Sequence, residues 1–195
     1  MARSLFPRSA ELHERAAAGV LRQHASRTSR PIELPVPVEL IIEQTFELEV
    51  QYAPLEEEPG VKILGALKPS DRCIILNEAH VGLFGDVIGP ERFTLGHELG
   101  HWMYDAENPD QLTLDFDAAE TGLVFCYHRE GPGLDEQTRI REINANGFAS
   151  ALLMPADLVR KAAIPDSEIG RRRLAHQWGV SFQAFGFRLD KLGYG

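Results

Sequence analysis

Cysteine is scarce in this chain. Cys73 and Cys126 are the only two in 195 residues, and they form no CxxC pair. That spacing supports neither a disulfide framework nor a cysteine-based zinc finger, and reduced thiols in a cytoplasm are the simpler reading. Positive charge is also short. The 20 Lys and Arg stand against 29 Asp and Glu, for a net charge of -9. A general affinity of the whole surface for nucleic acid is thereby excluded, though a local basic patch is not. No apolar run approaches the length of a membrane span. Met1-Ala2-Arg3-Ser4-Leu5 lacks the apolar core of a secretory signal, so a cytoplasmic protein with no membrane partner is expected. Internal repeats and low-complexity segments are missing too. What is present, 44% hydrophobic and 25% charged residues, suits one ordinary globular domain, or one such domain with a small appendage.

The pattern along the chain is mainly helical with a small sheet. Residues 1–30 are rich in Arg and Ala; Ala10 to His24 could form a helix within a solvated, partly frayed leader. Pro31, Pro35 and Pro37 mark an extended connector, followed by a short helical pattern from Val38 to Thr45. Phe46, Leu48 and Val50 alternate with Glu47, Glu49 and Gln51, which predicts a half-buried strand. Residues 54–60 read as an acidic turn. Val61 to Leu67 and Arg72 to Leu76 read as two more strands, joined through Pro69-Ser70-Asp71. Residues 78–89 suggest a loop with some helix, and residues 105–118 an acidic loop. Thr121 to Tyr127 suits a short strand or helix, and Gly131-Pro132-Gly133 a sharp loop. Asp135 to Met154 predicts one long helix stopped by Pro155.

His97-Glu98-Leu99-Gly100-His101 carries the chemistry. It is an HExxH pattern, and on a helix residues four apart share a face. His97 and His101 can then hold one metal ion, with Glu98 beside it as a general base for water. Three specified positions are a weak pattern alone, and an amphipathic helix with two ordinary histidines is the plain alternative. Phe93, Leu95 and Leu99 supply an apolar face, Pro90 suits a helix start, and Tyr104 extends the metal-facing stripe. A catalytic site needs a third protein ligand. The HExxHxxGxxH continuation fails, because Tyr104 and Glu107 stand in the places of its Gly and last His. By spacing, Asp105, Asp115, Asp117, Glu120, His128, Glu136 and Glu142 all remain candidates. Glu142 shares a helical face with Ala145, Asn146 and Ala149, whose small side chains would permit a close approach to the HExxH helix. Asn146 could hydrogen-bond a ligand from behind, while Ile143, Phe148 and Leu152 are expected to face the core.

Two blocks resemble the IrrE/ImmA family of bacterial metallopeptidases: the run from Arg92 to His101, and Glu142-Ile143-Asn144-Ala145-Asn146-Gly147-Phe148-Ala149-Ser150-Ala151-Leu152-Leu153-Met154-Pro155. The second block, ExxANxFAxxLLMP, is far more specific than HExxH. Leu34 to Glu39 and Ile74 to Asn77 agree in outline, so the resemblance spans about residues 34–192. It implies zinc held by His97, His101 and Glu142, with Glu98 as general base. It also implies a helix-turn-helix repressor as substrate, cleaved to relieve repression in a stress response or a mobile element. Two departures stand out: Gly96 replaces a frequent Ala, and Asp105 stands where many relatives have His and is given no role.

The expected fold is therefore α+β, with a zincin-like metallopeptidase domain at residues 31–157. A leader (1–30) precedes it and a short helix-turn-helix-like segment (158–195) follows. Leu174 to Ser181 with Phe182 to Leu192 suggest helix, turn at Gly179 and helix. That segment reads as a cap packed through Leu174, Trp178, Phe182, Phe185 and Leu189, in preference to a DNA reader. Mn²⁺ or another divalent ion could replace Zn²⁺ at a His/His/Glu site. A substrate backbone could add as a strand beside residues 61–67 or 72–76, and Tyr104, Tyr127, His128 and Arg129 are candidate oxyanion donors. The alternative function is a zinc-bound module that sequesters a repressor, or binds DNA, without proteolysis.

Overall fold

The computed structural model describes residues 7–57, 61–86, 89–105, 124–129 and 135–194. It is an α+β fold in which helices pack on a small mixed sheet. Helix α1 (Ala10–Thr28) begins where the Ser9 hydroxyl caps the Leu12 amide, and ends at Ser29 in the left-handed conformation. Helix α2 (Val38–Phe46) follows the proline connector. The sheet contains β1 (Glu49–Ala53), β2 (Val61–Lys68), β3 (Cys73–Asn77) and β4 (Val124–Arg129), in the spatial order β1-β3-β2-β4. β1 is parallel to β3, whereas β2 is antiparallel to both β3 and β4. Helices α3 (Val81–Asp86) and α4 (Pro90–Asp105) come between β3 and β4. Helices α5 (Glu136–Leu153), α6 (Ala156–Lys161), α7 (Glu168–Gln177) and α8 (Phe182–Leu192) complete the chain.

Two glycine positions set the spacing around α4. A Cβ on Gly100 would stand 2.9 Å from the Ala145 Cα and 3.1 Å from its carbonyl oxygen. Only a residue without a side chain lets α4 and α5 approach so closely. Gly96 is one turn earlier against Ala149, where an added Cβ would stand 3.4 Å from the Ala149 Cβ, an ordinary contact. On the other side of α4, β2 passes over it at Gly65, where a Cβ would meet the Thr94 Cγ2 at 2.5 Å. The β2–β4 register is interrupted between Ile63 and Gly65, consistent with a bulge at that crossing.

The core gathers Leu67, Ile74, Leu76, Leu95, Leu99, Phe148 and Leu152, with Ile41 and Ile42 of α2. Ala17, Val20 and Leu21 of α1 belong to the same core. The expected solvated leader is thus corrected for residues 10–28: an apolar stripe on this helix buries it against α5. Trp178, Phe185 and Leu189 are also buried, so α7 and α8 pack as a cap. Arg188 is only 2% exposed. Its guanidinium donates twice to the Met154 carbonyl, at 2.9 and 2.7 Å, and pairs with Glu14 of α1 at 2.6 Å.

Other expectations shift in detail. Phe46 closes α2 instead of opening a strand, because Glu47 turns left-handed (φ 56°) and the Leu48 amide returns to the Ile42 carbonyl. Residues 124–129 are strand, while residues 106–123, 130–134 and part of the 54–60 turn lie outside the described residues. Ile143 is 40% exposed rather than in the core, although Phe148 and Leu152 are fully buried. β2 and β3 each have a partner on both sides, so neither offers the free edge that an added substrate strand would need. Among the described residues, no helix is long and apolar enough to cross a membrane.

The two helical glycines should respond oppositely to alanine. Gly96→Ala should stabilise the protein by up to about 1 kcal/mol through helix propensity. Gly100→Ala should cost about 1–3 kcal/mol through overpacking. Urea unfolding of the metal-free protein measures both; a neutral Gly100→Ala would contradict the tight crossing.

Candidate metal centre

The start of α4 is fixed before the histidines begin. Arg92 donates through Nε to the Gly179 carbonyl at 3.1 Å, and its guanidinium also reaches the Val36 carbonyl. One turn on, His97 and His101 project from the buried face of α4, each 1% exposed. Their Nε2 atoms are 3.0 Å apart. α5 delivers Glu142, with Oε2 3.3 Å from the His97 Nε2 and Oε1 3.2 Å from the His101 Nε2. A tetrahedral ion with bonds of about 2.0–2.1 Å would hold its ligand atoms roughly 3.3–3.4 Å apart. The observed separations come close to that without rearrangement. These three residues form a group able to hold a metal ion among the described residues.

Each imidazole is oriented from behind. The His97 Nδ1 bonds to the Asn146 Oδ1 at 2.9 Å, and the His101 Nδ1 to the Asp105 Oδ2 at 2.9 Å. With Nδ1–H donating in both rings, both Nε2 lone pairs point into the site. Two such lone pairs at 3.0 Å repel unless a proton or a cation lies between them. The Asn146 contact matches the sequence expectation. The Asp105 contact does not, because Asp105 had been given no role; it sits at the last position of α4, four residues after His101 and on its face. That spacing was the available signal.

Glu98 is fully buried, and neither carboxylate oxygen has a hydrogen-bond partner. Its pKa is pushed up to about 8, first by burial, with the His101 charge opposing and the Glu142 charge adding. For His101, burial works downward, but the hydrogen bonds it donates to Asp105 and Glu142 and the charges of Glu142 and Glu98 outweigh it, lifting the imidazole to about 10. Glu142 falls to about 2, since its two histidine partners outweigh burial. An orphaned carboxylate beside converging nitrogen and oxygen donors fits a divalent cation, whose charge would replace the proton that this cluster holds.

The other candidates separate clearly. Glu136 is exposed and pairs with Arg139 at 3.1 Å, and Asp105 stands behind His101. Tyr104 does not face the site: its hydroxyl meets the His13 Nδ1 at 2.9 Å and its ring packs on Phe148, beneath Arg8. Asp115, Asp117 and Glu120, and the side chains of Tyr127, His128 and Arg129, lie outside what is described.

Comparison with known families defines the class. The model of the family described as IrrE N-terminal-like domain, Peptidase M78, matches residues 43–190, and the chain belongs to that family. The match suggests a metallopeptidase, which agrees with the proximity of His97, His101 and Glu142. Among solved structures, the fold is similar to a Mycobacterium tuberculosis transcriptional regulator, with a TM-score of 0.51 and 16% identity. The alignment covers 93% of this chain but 46% of that one, so the chain spans less than half the regulator's length. A comparison with curated proteins finds no match.

The protons held by the cluster give a pH signature. Unfolded, Glu98 and His101 titrate near 4.5 and 6.5; folded and metal-free, near 8 and 10. The folded state therefore binds more protons between these limits, and metal-free stability falls as pH rises through them. A cation competes with the same protons, so its stabilisation grows with pH. Thermal melts in EDTA and in excess Zn²⁺ should show a larger Tm gain at pH 8 than at pH 6. Equal gains would contradict the site.

Proposed function

We propose that the protein is a cytoplasmic zinc-dependent endopeptidase that cleaves a helix-turn-helix transcriptional repressor, relieving repression in a stress response or mobile element. The observation that carries the catalytic part is the buried, unpartnered Glu98 carboxylate beside His97, His101 and Glu142. A purely structural metal site has no use for such a group. The substrate part rests on the family resemblance. In this reading the fold is zincin-like, with residues 31–157 as the catalytic unit and 158–195 as a helical cap.

His97, His101 and Glu142 would hold the ion, with Asn146 and Asp105 setting the imidazole orientation. Zinc, or manganese or another divalent ion, supplies Lewis acidity that polarises a carbonyl and acidifies water. Glu98 takes a proton from water as its oxygen adds to the carbonyl carbon. The same carboxyl then gives that proton to the amide nitrogen as the C–N bond breaks.

The alternative, a zinc-bound module acting on a repressor or DNA without proteolysis, has less support. Arg188 is buried, Arg172 pairs with Glu168, and Arg171 bonds to the Pro165 carbonyl. These three guanidiniums are thus engaged within the protein instead of being set out together on one face.

The test is incubation with a helix-turn-helix repressor encoded beside this gene, with Zn²⁺ or Mn²⁺, read by intact mass. Wild type should yield discrete fragments. Glu98→Gln should retain metal and lose at least about 100-fold in rate; cleavage at the wild-type rate would sink the mechanism. A stable complex without fragments would favour sequestration. Asp105→Asn should weaken Zn²⁺ affinity about 10–100-fold, measured by chelator competition.

A further inference from the structure

A cavity of about 580 Å³ opens on His97 and Glu142 and runs between β2, the start of α4 and the start of α8. Its walls are Leu64, Leu83, Phe93, Val180, Ala184 and Phe187. A second cavity of about 370 Å³ continues it past Ile143 and shares Phe93, Asn146, Ala184 and Phe187. Together they form one apolar groove leading away from the candidate metal centre. Phe187 is 65% exposed and Ile143 40% exposed along it, so both side chains are open to an incoming apolar group.

Among the polar side chains of the lining, Thr94, Ser181 and Asn146 are engaged within the protein, while Gln183 is exposed at the start of α8. The Thr94 hydroxyl donates to the Pro90 carbonyl at 2.9 Å. The Ser181 hydroxyl caps α8 by accepting from the Ala184 amide at 3.1 Å, and the Asn146 oxygen serves His97. Apart from Glu142, no carboxylate lines either cavity among the described residues. The two cations, Lys62 and Lys191, are exposed at its margins. Apart from Glu142, a lysine or arginine in the groove would meet no carboxylate, and its charge would lose water against mostly apolar walls.

The groove is also preset in width. Gly89 has φ +115°, and a Cβ there would meet the Ser181 amide nitrogen at 2.6 Å, so the turn before α4 lies directly against the α7–α8 turn. Arg92 fastens the same contact through the Gly179 carbonyl. The C-terminal helix is thereby held as a wall beside the metal-binding helix.

We infer that this groove receives a bulky apolar side chain of the substrate polypeptide beside the scissile bond, with Phe93, Ala184 and Phe187 as specificity-determining residues. The inference deepens the peptidase reading and rests on it for the words "scissile bond". Leu, Ile, Met or Phe is selected next to the cut, and Lys and Arg are rejected there.

Two measurements keep the two readings separate. The first treats a proteome-derived peptide library with the Zn²⁺-loaded protein and maps both new ends by mass spectrometry. Cut sites should be enriched about tenfold or more for bulky apolar residues on one side of the bond. Ala184→Phe, which narrows the groove, should shift that preference to small residues, and Phe187→Ala, at an exposed position, should flatten it. Cleavage without apolar preference, or a profile unchanged by both variants, overturns the groove while leaving the peptidase intact.

The second uses the catalytically inert Glu98→Gln protein and calorimetry with dipeptide hydroxamates bearing Leu or Gly. The Leu compound should bind about tenfold tighter, and Ala184→Phe should remove the difference. If wild type cuts nothing but this binding pattern holds, the groove stands and the peptidase reading falls. Equal binding of the Leu and Gly compounds overturns the groove whatever the cleavage result. Circular dichroism checks that Ala184→Phe folds, and Phe187→Ala serves in its place if it does not.

Discussion

The approach of α4 to α5 is the constraint on which the site depends. Neither helix contains a metal site alone: α4 offers two imidazoles and α5 one carboxylate. The three come within about 3 Å of one another only because Gly100 has no side chain where it crosses Ala145. A methyl group at that crossing would separate the helices by more than the tolerance of a metal–ligand bond, which is a few tenths of an ångström. The small residues of the ExxAN block are therefore the spacing device for the chemistry, and the apolar residues between them, Phe148 and Leu152, anchor the spacing in the core.

The same crossing creates an electrostatic conflict. Three carboxylates, from Glu98, Asp105 and Glu142, surround two buried imidazoles. Elsewhere in the core polar groups are matched, as Asn77 shows by bonding the Ile63 carbonyl and the Leu55 amide. At Glu98 the matching stops. A group that is fully buried and without a partner lowers stability, and a fold tolerates it most readily where it has a use. The protons retained by Glu98 and His101 show how the metal-free molecule settles the conflict, and a divalent cation settles it more completely.

Much of this was legible in the sequence, for a physical reason. Helix-borne features depend on local spacing: four residues separate His97 from His101, and one turn separates Glu142 from Asn146. α4, α5 and the Asn146 contact follow from such spacings. The Asp105 contact obeys the same rule, since Asp105 follows His101 by four residues on one face, and an unusual residue type at that position does not hide the spacing. Tyr104 was misplaced because a stripe on a helix does not say which neighbour it meets; here α1 takes it. Sheet order was not legible, since the pairing of β2 with both β3 and β4 depends on contacts far apart in the chain. The burial of α1 was hidden by its arginines, whose charged ends lie at the surface while Ala17, Val20 and Leu21 face inward.

Arg188 links parts of the chain that have no sequence relation. Its guanidinium joins the first helix through Glu14 and the end of α5 through the Met154 carbonyl, while its own helix forms the wall of the groove. Helices α1 and α8 are thereby clasped to the end of α5 behind the site. Loss of α1 would leave the buried Arg188 cation without its carboxylate, and loss of α8 would leave Glu14 and the Met154 carbonyl without their donor. Helix α1 lies outside the stretch matched by the family, yet it helps hold the groove wall against α4 and α5.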